Sequence, residues 1–134
     1  MQLFRQAVEA NDHETIASTL AEDVVFSSPV AFKPYHGKQT TAAILRAVTR
    51  VFEDFRYVRT VEDIGGSDHV LFFEARIDDV TIHGCDILHL NSEGLIDDFT
   101  VMVRPLSAAQ ALSKRMATEF AVEMGSIGSA DKNG

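Results

Sequence analysis

The sequence is poor in the residues that mark extracellular, membrane-spanning or nucleic-acid-binding proteins. Its single cysteine, Cys85, excludes an internal disulfide and a cysteine-based zinc site. No apolar run approaches the roughly 20 residues of a membrane-spanning helix. Lys and Arg number 12 against 20 Asp and Glu, and the formal charge of −8 argues against binding to nucleic acid or to an anionic membrane. We therefore expect a cytoplasmic protein with neither a nucleic-acid nor a membrane partner.

Hydrophobic periodicity divides the chain into helical and strand-like parts. Apolar residues recur three and four positions apart in residues 3–8, 16–21 and 42–52, and again in residues 107–124. Residues 56–103 show instead the alternation that is typical of half-buried strands. Three helices, a strand-rich half and a final helix predict an α+β fold. We expect a strongly curved antiparallel sheet that wraps around the N-terminal helices and leaves a cone-shaped pocket between them.

The length of 134 residues fits one domain with a sizeable core. We expect this domain to cover residues 1–124, with its core from 2 to 104 and an added C-terminal helix from 107 to 124. Residues 125–134 are small and polar and are expected to form a disordered tail. The C-terminal helix can dock on its own subunit, on a partner subunit or over the pocket mouth through the stripe Leu112, Met116, Phe120 and Met124.

The most informative stretch is residues 84–103, which has the pattern of two strands joined by a tight turn. Because side chains alternate in a strand, each arm has one apolar face. On the first arm, Leu88 and Leu90 form this face together with Asp86. On the second arm, the face consists of Phe99, Val101 and Val103. If the faces coincide, Asp86 is the one ionisable group on an apolar wall, which indicates a functional site. The alternative is a bulged strand on which Asp86 faces solvent.

The pocket hypothesis names two sets of residues. Asp86 is the candidate catalytic acid, and His36 or Tyr35 is expected to assist it. His36 has an alternative role as a helix-entrance residue that hydrogen-bonds backbone. The expected ligand-binding residues are Leu88, Leu90, Phe99, Val101, Val103, Phe73 and Tyr57.

The sheet face opposite the pocket is also apolar. It carries Phe72, Ile87 and Met102, which a single subunit would expose. Contiguous apolar patches of this kind usually bind a partner, and two-fold pairing is the commonest arrangement. The sequence therefore predicts a homodimer.

The order of these elements resembles the nuclear transport factor 2-like superfamily, and within it the SnoaL-like and ketosteroid isomerase-like branches. The resemblance rests on Asp12 at the start of the second helix, His36-Gly37 before the long helix, and the turn Gly94-Leu95-Ile96. It covers about residues 2 to 104 and implies a cystatin-like fold with a small-molecule pocket. Since this superfamily contains isomerases, dehydratases, cyclases, epoxide hydrolases and proteins without activity, the fold alone does not assign a reaction.

The ketosteroid isomerases offer a comparison residue by residue. Asp86 falls on the acid that in that family stays protonated and donates a hydrogen bond to a developing enolate oxygen. The family's general base, an aspartate before a proline, is replaced here by Ser28, which precedes Pro29. The family's oxyanion tyrosine falls near Phe4, which has no hydroxyl. One of three chemical residues is retained, so steroid isomerase activity is not expected.

Two functions of different classes remain open at this stage. The first is a cofactor-independent isomerase, dehydratase or cyclase that acts on a small apolar substrate with Asp86 as pocket acid. The second is a non-catalytic ligand-binding or dimerisation module of the same fold. No metal is expected, because no two histidines lie three or four residues apart on a predicted helix.

Overall fold

The computed structural model describes the backbone of residues 1–133 and the side chains of residues 1–119, 121 and 122. Within these described residues, four helices and six strands follow one another in an α+β order. They are α1 (Gln2–Glu9), α2 (His13–Ser18), β1 (Leu20–Ser27), β2 (Tyr35–His36), α3 (Lys38–Val51), β3 (Glu53–Glu62), β4 (Asp68–Ile77), β5 (Val80–Leu90), β6 (Ile96–Arg104) and α4 (Leu106–Asn133).

The six strands form one sheet in the order β2-β1-β6-β5-β4-β3. Strands β3 to β6 form an antiparallel meander, and β2 pairs antiparallel with β1. Of the strand pairs in the described part of the chain, β1–β6 alone is parallel, which the expectation of an antiparallel sheet did not include. Register shifts within three of the strand pairs indicate bulges, which increase the local twist. The sheet is accordingly curved and unclosed, and the predicted fold class is confirmed.

Helix α2 shows where local pattern and tertiary structure disagree. The Asp12 carboxylate caps it by accepting a hydrogen bond from the Thr15 amide at 3.2 Å, as expected of an N-cap residue. The helix nevertheless ends at Ser18, whereas the helical pattern extended to Leu20 and Ala21. Both residues are almost fully buried and belong to β1. Pairing of Leu20 with Ile96 of β6 outweighs the local helical spacing.

The register of the meander brings the expected apolar faces together. Asp86 of β5 lies between Leu71 of β4 and Val101 of β6, in one row across three strands. Leu88 pairs with Phe99 in the neighbouring row. The two arms of the hairpin therefore share one face, and this concave face is covered by helices.

Helix α4 is longer than its sequence pattern predicts, since it starts at Leu106 and runs to Asn133. It packs mainly against α3 and also contacts β4, β5 and β6. The expected tail, residues 125–134, lies outside the described side chains, so its disorder stays a prediction. Within the part of the chain that the structure describes, no helix has both the length and the apolar character needed to cross a membrane.

Candidate functional site

A cavity of about 420 Å³ lies between the concave face of the sheet and the helices. This volume is in the range of small-molecule sites. Its wall is mostly aromatic and aliphatic, and six predicted site residues contribute to it: Asp86, Tyr35, Tyr57, Phe73, Phe99 and Val101. The alternating patterns of β4, β5 and β6 explain why Phe73, Asp86, Phe99 and Val101 point inward.

Asp86 and Tyr57 form a hydrogen-bonded pair on this wall. The Tyr57 hydroxyl donates to Oδ2 of Asp86 at 2.7 Å, and the two residues are only 5% and 6% exposed. Among the described residues, Oδ1 of Asp86 has no hydrogen-bond partner. The carboxyl therefore keeps one oxygen available to a bound molecule.

Burial controls the protonation of this pair. Desolvation raises the pKa of Asp86 from 3.8 to about 7, although the hydrogen bond from Tyr57 opposes the rise by stabilising the carboxylate. The pKa of Tyr57 is raised well above its ordinary value, first by burial and then by the neighbouring Asp86 charge. Near neutral pH, Asp86 is therefore present in both its protonated and its charged form, while Tyr57 remains a hydrogen-bond donor.

An aromatic cluster fixes the position of Tyr57. The ring of Phe55 stacks on Phe73 with centroids 4.9 Å apart and meets Tyr57 edge-on at 5.0 Å. Phe73 in turn lies across from Gly84 of β5, where a Cβ atom would come within 2.7 Å of the Phe73 ring. The absence of a side chain at Gly84 thus leaves room for the ring that supports the pair.

The remaining predicted site residues lie elsewhere. His36 is exposed on β2 and does not line the cavity, because its neighbour Tyr35 takes the inward direction on this short strand. Leu88, Leu90 and Val103 share the concave face but pack into the core rather than line the cavity. The strand pattern identified the face correctly, but it could not show which part of the face the helices cover.

The two positions at which the ketosteroid isomerase pattern is broken both line the cavity. Phe4 of α1 is 1% exposed and packs edge-on against Phe99, with centroids 5.6 Å apart. Ser28 lies on the loop after β1. Neither side chain supplies a base near neutral pH. Among the described residues that line the cavity, the buried ones with a polar group are Tyr57 and Asp86.

Sequence reasoning missed three contributions to this site. It did not foresee that Tyr57 is the partner of Asp86, because the two residues are 29 positions apart. It also did not include Glu9 and Asp54, two acidic residues that line the cavity. No sequence pattern marks these carboxylates as cavity residues, since Glu9 is the last residue of α1 and Asp54 the second residue of β3. Within the described residues, no group of three or more His, Cys, Asp or Glu side chains could hold a metal ion.

Comparisons with known proteins agree with this geometry. The family model of the SnoaL-like domain matches residues 1–99. A structure of a steroid delta-isomerase from Pseudomonas aeruginosa is 37% identical, with a TM-score of 0.86 over 91% of this chain and 89% of that one. A bacterial protein with a cystatin-like fold from Silicibacter pomeroyi DSS-3 is 35% identical, with a TM-score of 0.83 over 87% and 82%.

More distant structures share the fold alone. An LEH-like epoxide hydrolase from M. tuberculosis is 18% identical, with a TM-score of 0.62 over 90% of this chain and 86% of that one. No protein of curated function matches the chain. The match of the family model to most of the chain, together with two structures above 30% identity, shows that the chain belongs to the family of SnoaL-like domains.

Proposed function

We propose that the cavity binds a small, mainly apolar molecule through one oxygen atom and that Asp86 exchanges a proton with it. The observation that carries this proposal is the buried pair of Asp86 and Tyr57 on a mainly apolar wall. Burying a carboxyl costs free energy unless it is compensated, so a carboxyl kept at such a place points to function.

The pKa of Asp86 allows this carboxyl both to donate and to accept a proton. A group whose pKa lies near the working pH is best suited to general acid–base catalysis, and that of Asp86 is about 7. In its protonated form, the carboxyl can donate to a carbonyl or hydroxyl oxygen of the ligand. In its charged form, it can accept a proton, and the Tyr57 hydroxyl then stabilises the charge.

These properties fit a cofactor-independent isomerase, dehydratase or cyclase, each of which moves protons near an oxygen atom. The steroid delta-isomerase at 37% identity supports this class of chemistry. Ser28 and Phe4 argue against the ketosteroid isomerase mechanism itself, because Ser28 is not a base near neutral pH and Phe4 has no hydroxyl to donate to an oxyanion. The candidate of a different class is a non-catalytic binding module, which the same two replacements favour.

Hydrogen–deuterium exchange separates these two functions without a known substrate. 2-Octanone, an apolar ketone with exchangeable α-hydrogens, is incubated with the protein in D₂O and followed by ¹H NMR. We expect the wild type to accelerate α-deuteration with a pH dependence centred near 7, and Asp86→Asn to bind the ketone without accelerating exchange. Binding without exchange by the wild type would identify a non-catalytic module, and absence of binding would overturn both functions.

The assembly and location expected from the sequence are part of this proposal. The outer face of the sheet places Phe72, Cys85 and Met102 in one row, and Met102 is 56% exposed. We propose that a second copy of the chain covers this row. A cytoplasmic location remains a prediction from the low cysteine content.

A further inference from the structure

Helix α4 forms part of the cavity although it lies outside the matched family domain. The family model ends at residue 99, and α4 starts at Leu106. Two pairs of adjacent residues on successive turns of this helix nevertheless line the cavity: Leu112 with Ser113, and Met116 with Ala117. The family model therefore leaves this wall out, and the wall borders the same space as the Asp86–Tyr57 pair.

The wall is held by apolar contacts along one helix face. Ala108 and Leu112 are 0% and 3% exposed, and Met116 is 9% exposed. All three belong to the main hydrophobic core. Because burial of apolar side chains stabilises the packed arrangement, these contacts give α4 a defined position over the cavity.

Two ion pairs fix the helix to elements on both of its sides. Arg115 donates to Asp78, in the turn between β4 and β5, at 2.8 Å. Glu119 accepts from Arg50 of α3 at 2.8 Å. Each pair is partly exposed and contributes little free energy by itself. The apolar contacts therefore set the rotation of α4, and the two ion pairs are compatible with it.

We propose that α4 sets the upper size limit of the ligand, with Met116 and Ala117 as the specificity-determining residues. This inference rests on the proposed function, in which Asp86 holds the ligand oxygen. A ligand fixed at that oxygen must fit its remaining atoms between the walls, and α4 is one of them. Met116 is buried and fills space with a flexible thioether, whereas Ala117 is an exposed position of the same wall that carries only a methyl group.

A series of straight-chain 2-alkanones, from 2-pentanone to 2-dodecanone, measures this limit. The dissociation constant of the wild type should fall about fourfold for each added methylene, until the chain reaches the size limit and the gain stops. Met116→Ala shortens the side chain by about three heavy atoms and should move the limit to ketones longer by two or three carbons. Ala117→Leu adds a similar volume and should move the limit to shorter ketones.

Leu106→Ala is the matched control, since it shortens an exposed apolar side chain of the same helix that lies away from the cavity. It should keep the wild-type limit. Ala117→Leu carries the test by itself if Met116→Ala does not fold, as judged by circular dichroism. A size limit that stays unchanged in both α4 variants overturns this inference and leaves the proposed function intact. Binding of no ketone by any of the proteins overturns the proposed function together with this inference.

Discussion

The Tyr57 hydroxyl donates to Oδ2 of Asp86 across a distance of 2.7 Å, and both side chains are buried at the cavity wall. Hydrogen bonds that involve an ionised partner are about twice as strong as neutral ones. This contact therefore stabilises the charged form of Asp86 more than the protonated form, and it makes the pKa of Asp86 depend on Tyr57.

Tyr57→Phe should raise the pKa of Asp86 above its wild-type value of about 7, because desolvation then acts without the opposing hydrogen bond. The measurement is an NMR titration of the Asp86 side-chain carboxyl carbon. Tyr35→Phe removes a hydroxyl from another part of the same cavity and should leave that titration unchanged. An Asp86 titration that is the same in Tyr57→Phe and wild type would contradict the role of this contact.

Asp86→Asn should change the dependence of stability on pH. The pKa of Asp86 is about 7 in the folded protein and 3.8 as the ordinary value, so the folded state binds more protons between these pH values. The free energy of unfolding of the wild type should therefore fall as pH rises from about 4 to 7, relative to a variant that cannot ionise there. A pKa rise from 3.8 to about 7 corresponds to a decrease of the free energy of unfolding by as much as about 4 kcal/mol.

Thermal or urea unfolding of Asp86→Asn and wild type at several pH values measures this difference. The variant should be at least as stable as the wild type near pH 7, and the gap should shrink toward pH 4. Glu93→Gln, which removes an exposed carboxyl in the turn before β6, should follow the wild-type curve. Parallel curves for Asp86→Asn and wild type would mean that Asp86 is solvated, and the main argument for proton transfer would be lost.

Gly84→Ala should destabilise the protein by about 1–3 kcal/mol, as expected when a well-packed core is overfilled. The new Cβ atom would lie 2.7 Å from Cε2 of Phe73 and 2.9 Å from the Met102 carbonyl oxygen. Phe73 cannot shift easily, because its ring stacks on Phe55. Urea unfolding measures the loss.

Gly65→Ala is the control for this substitution. A Cβ atom at Gly65 meets nothing closer than 3.9 Å, in the Asp63 carboxylate. This variant should have nearly the wild-type midpoint of unfolding. Equal midpoints for the two alanine variants would show that Phe73 repacks without cost.

Met102→Glu should dissociate the proposed homodimer. A charged side chain in the centre of an apolar interface would lose its hydration, and the two-fold axis would bring two such charges near each other. Sedimentation velocity at micromolar concentration should give a dimer for the wild type and a monomer for the variant. Leu106→Glu, at an exposed position at the start of α4, should remain a dimer. A monomeric wild type would exclude this assembly.

The sequence alone determined the composition of the concave face. Alternation within a strand is a local property of the extended backbone, so Asp86, Phe99 and Val101 could be assigned to one face before any register was known. The turn at Gly94 has a φ of +78°, which glycine adopts easily, and its position limited the pairing of the two arms. The α+β order and the family resemblance follow from such local signals and their spacing.

Only the tertiary structure decided which residues meet. The contact between Tyr57 and Asp86 depends on the registers of three strands and on a bulge next to Tyr57, and none of these leaves a periodic signal in the sequence. Leu88 and Val101 belong to the same face, yet only Val101 lines the cavity, because the helices cover one region and leave another open. The apolar stripe of α4 was compatible with three docking places. In the structure, α4 docks beside the cavity. This position buries Leu112 and Met116 and at the same time lets Arg115 and Glu119 form ion pairs with Asp78 and Arg50.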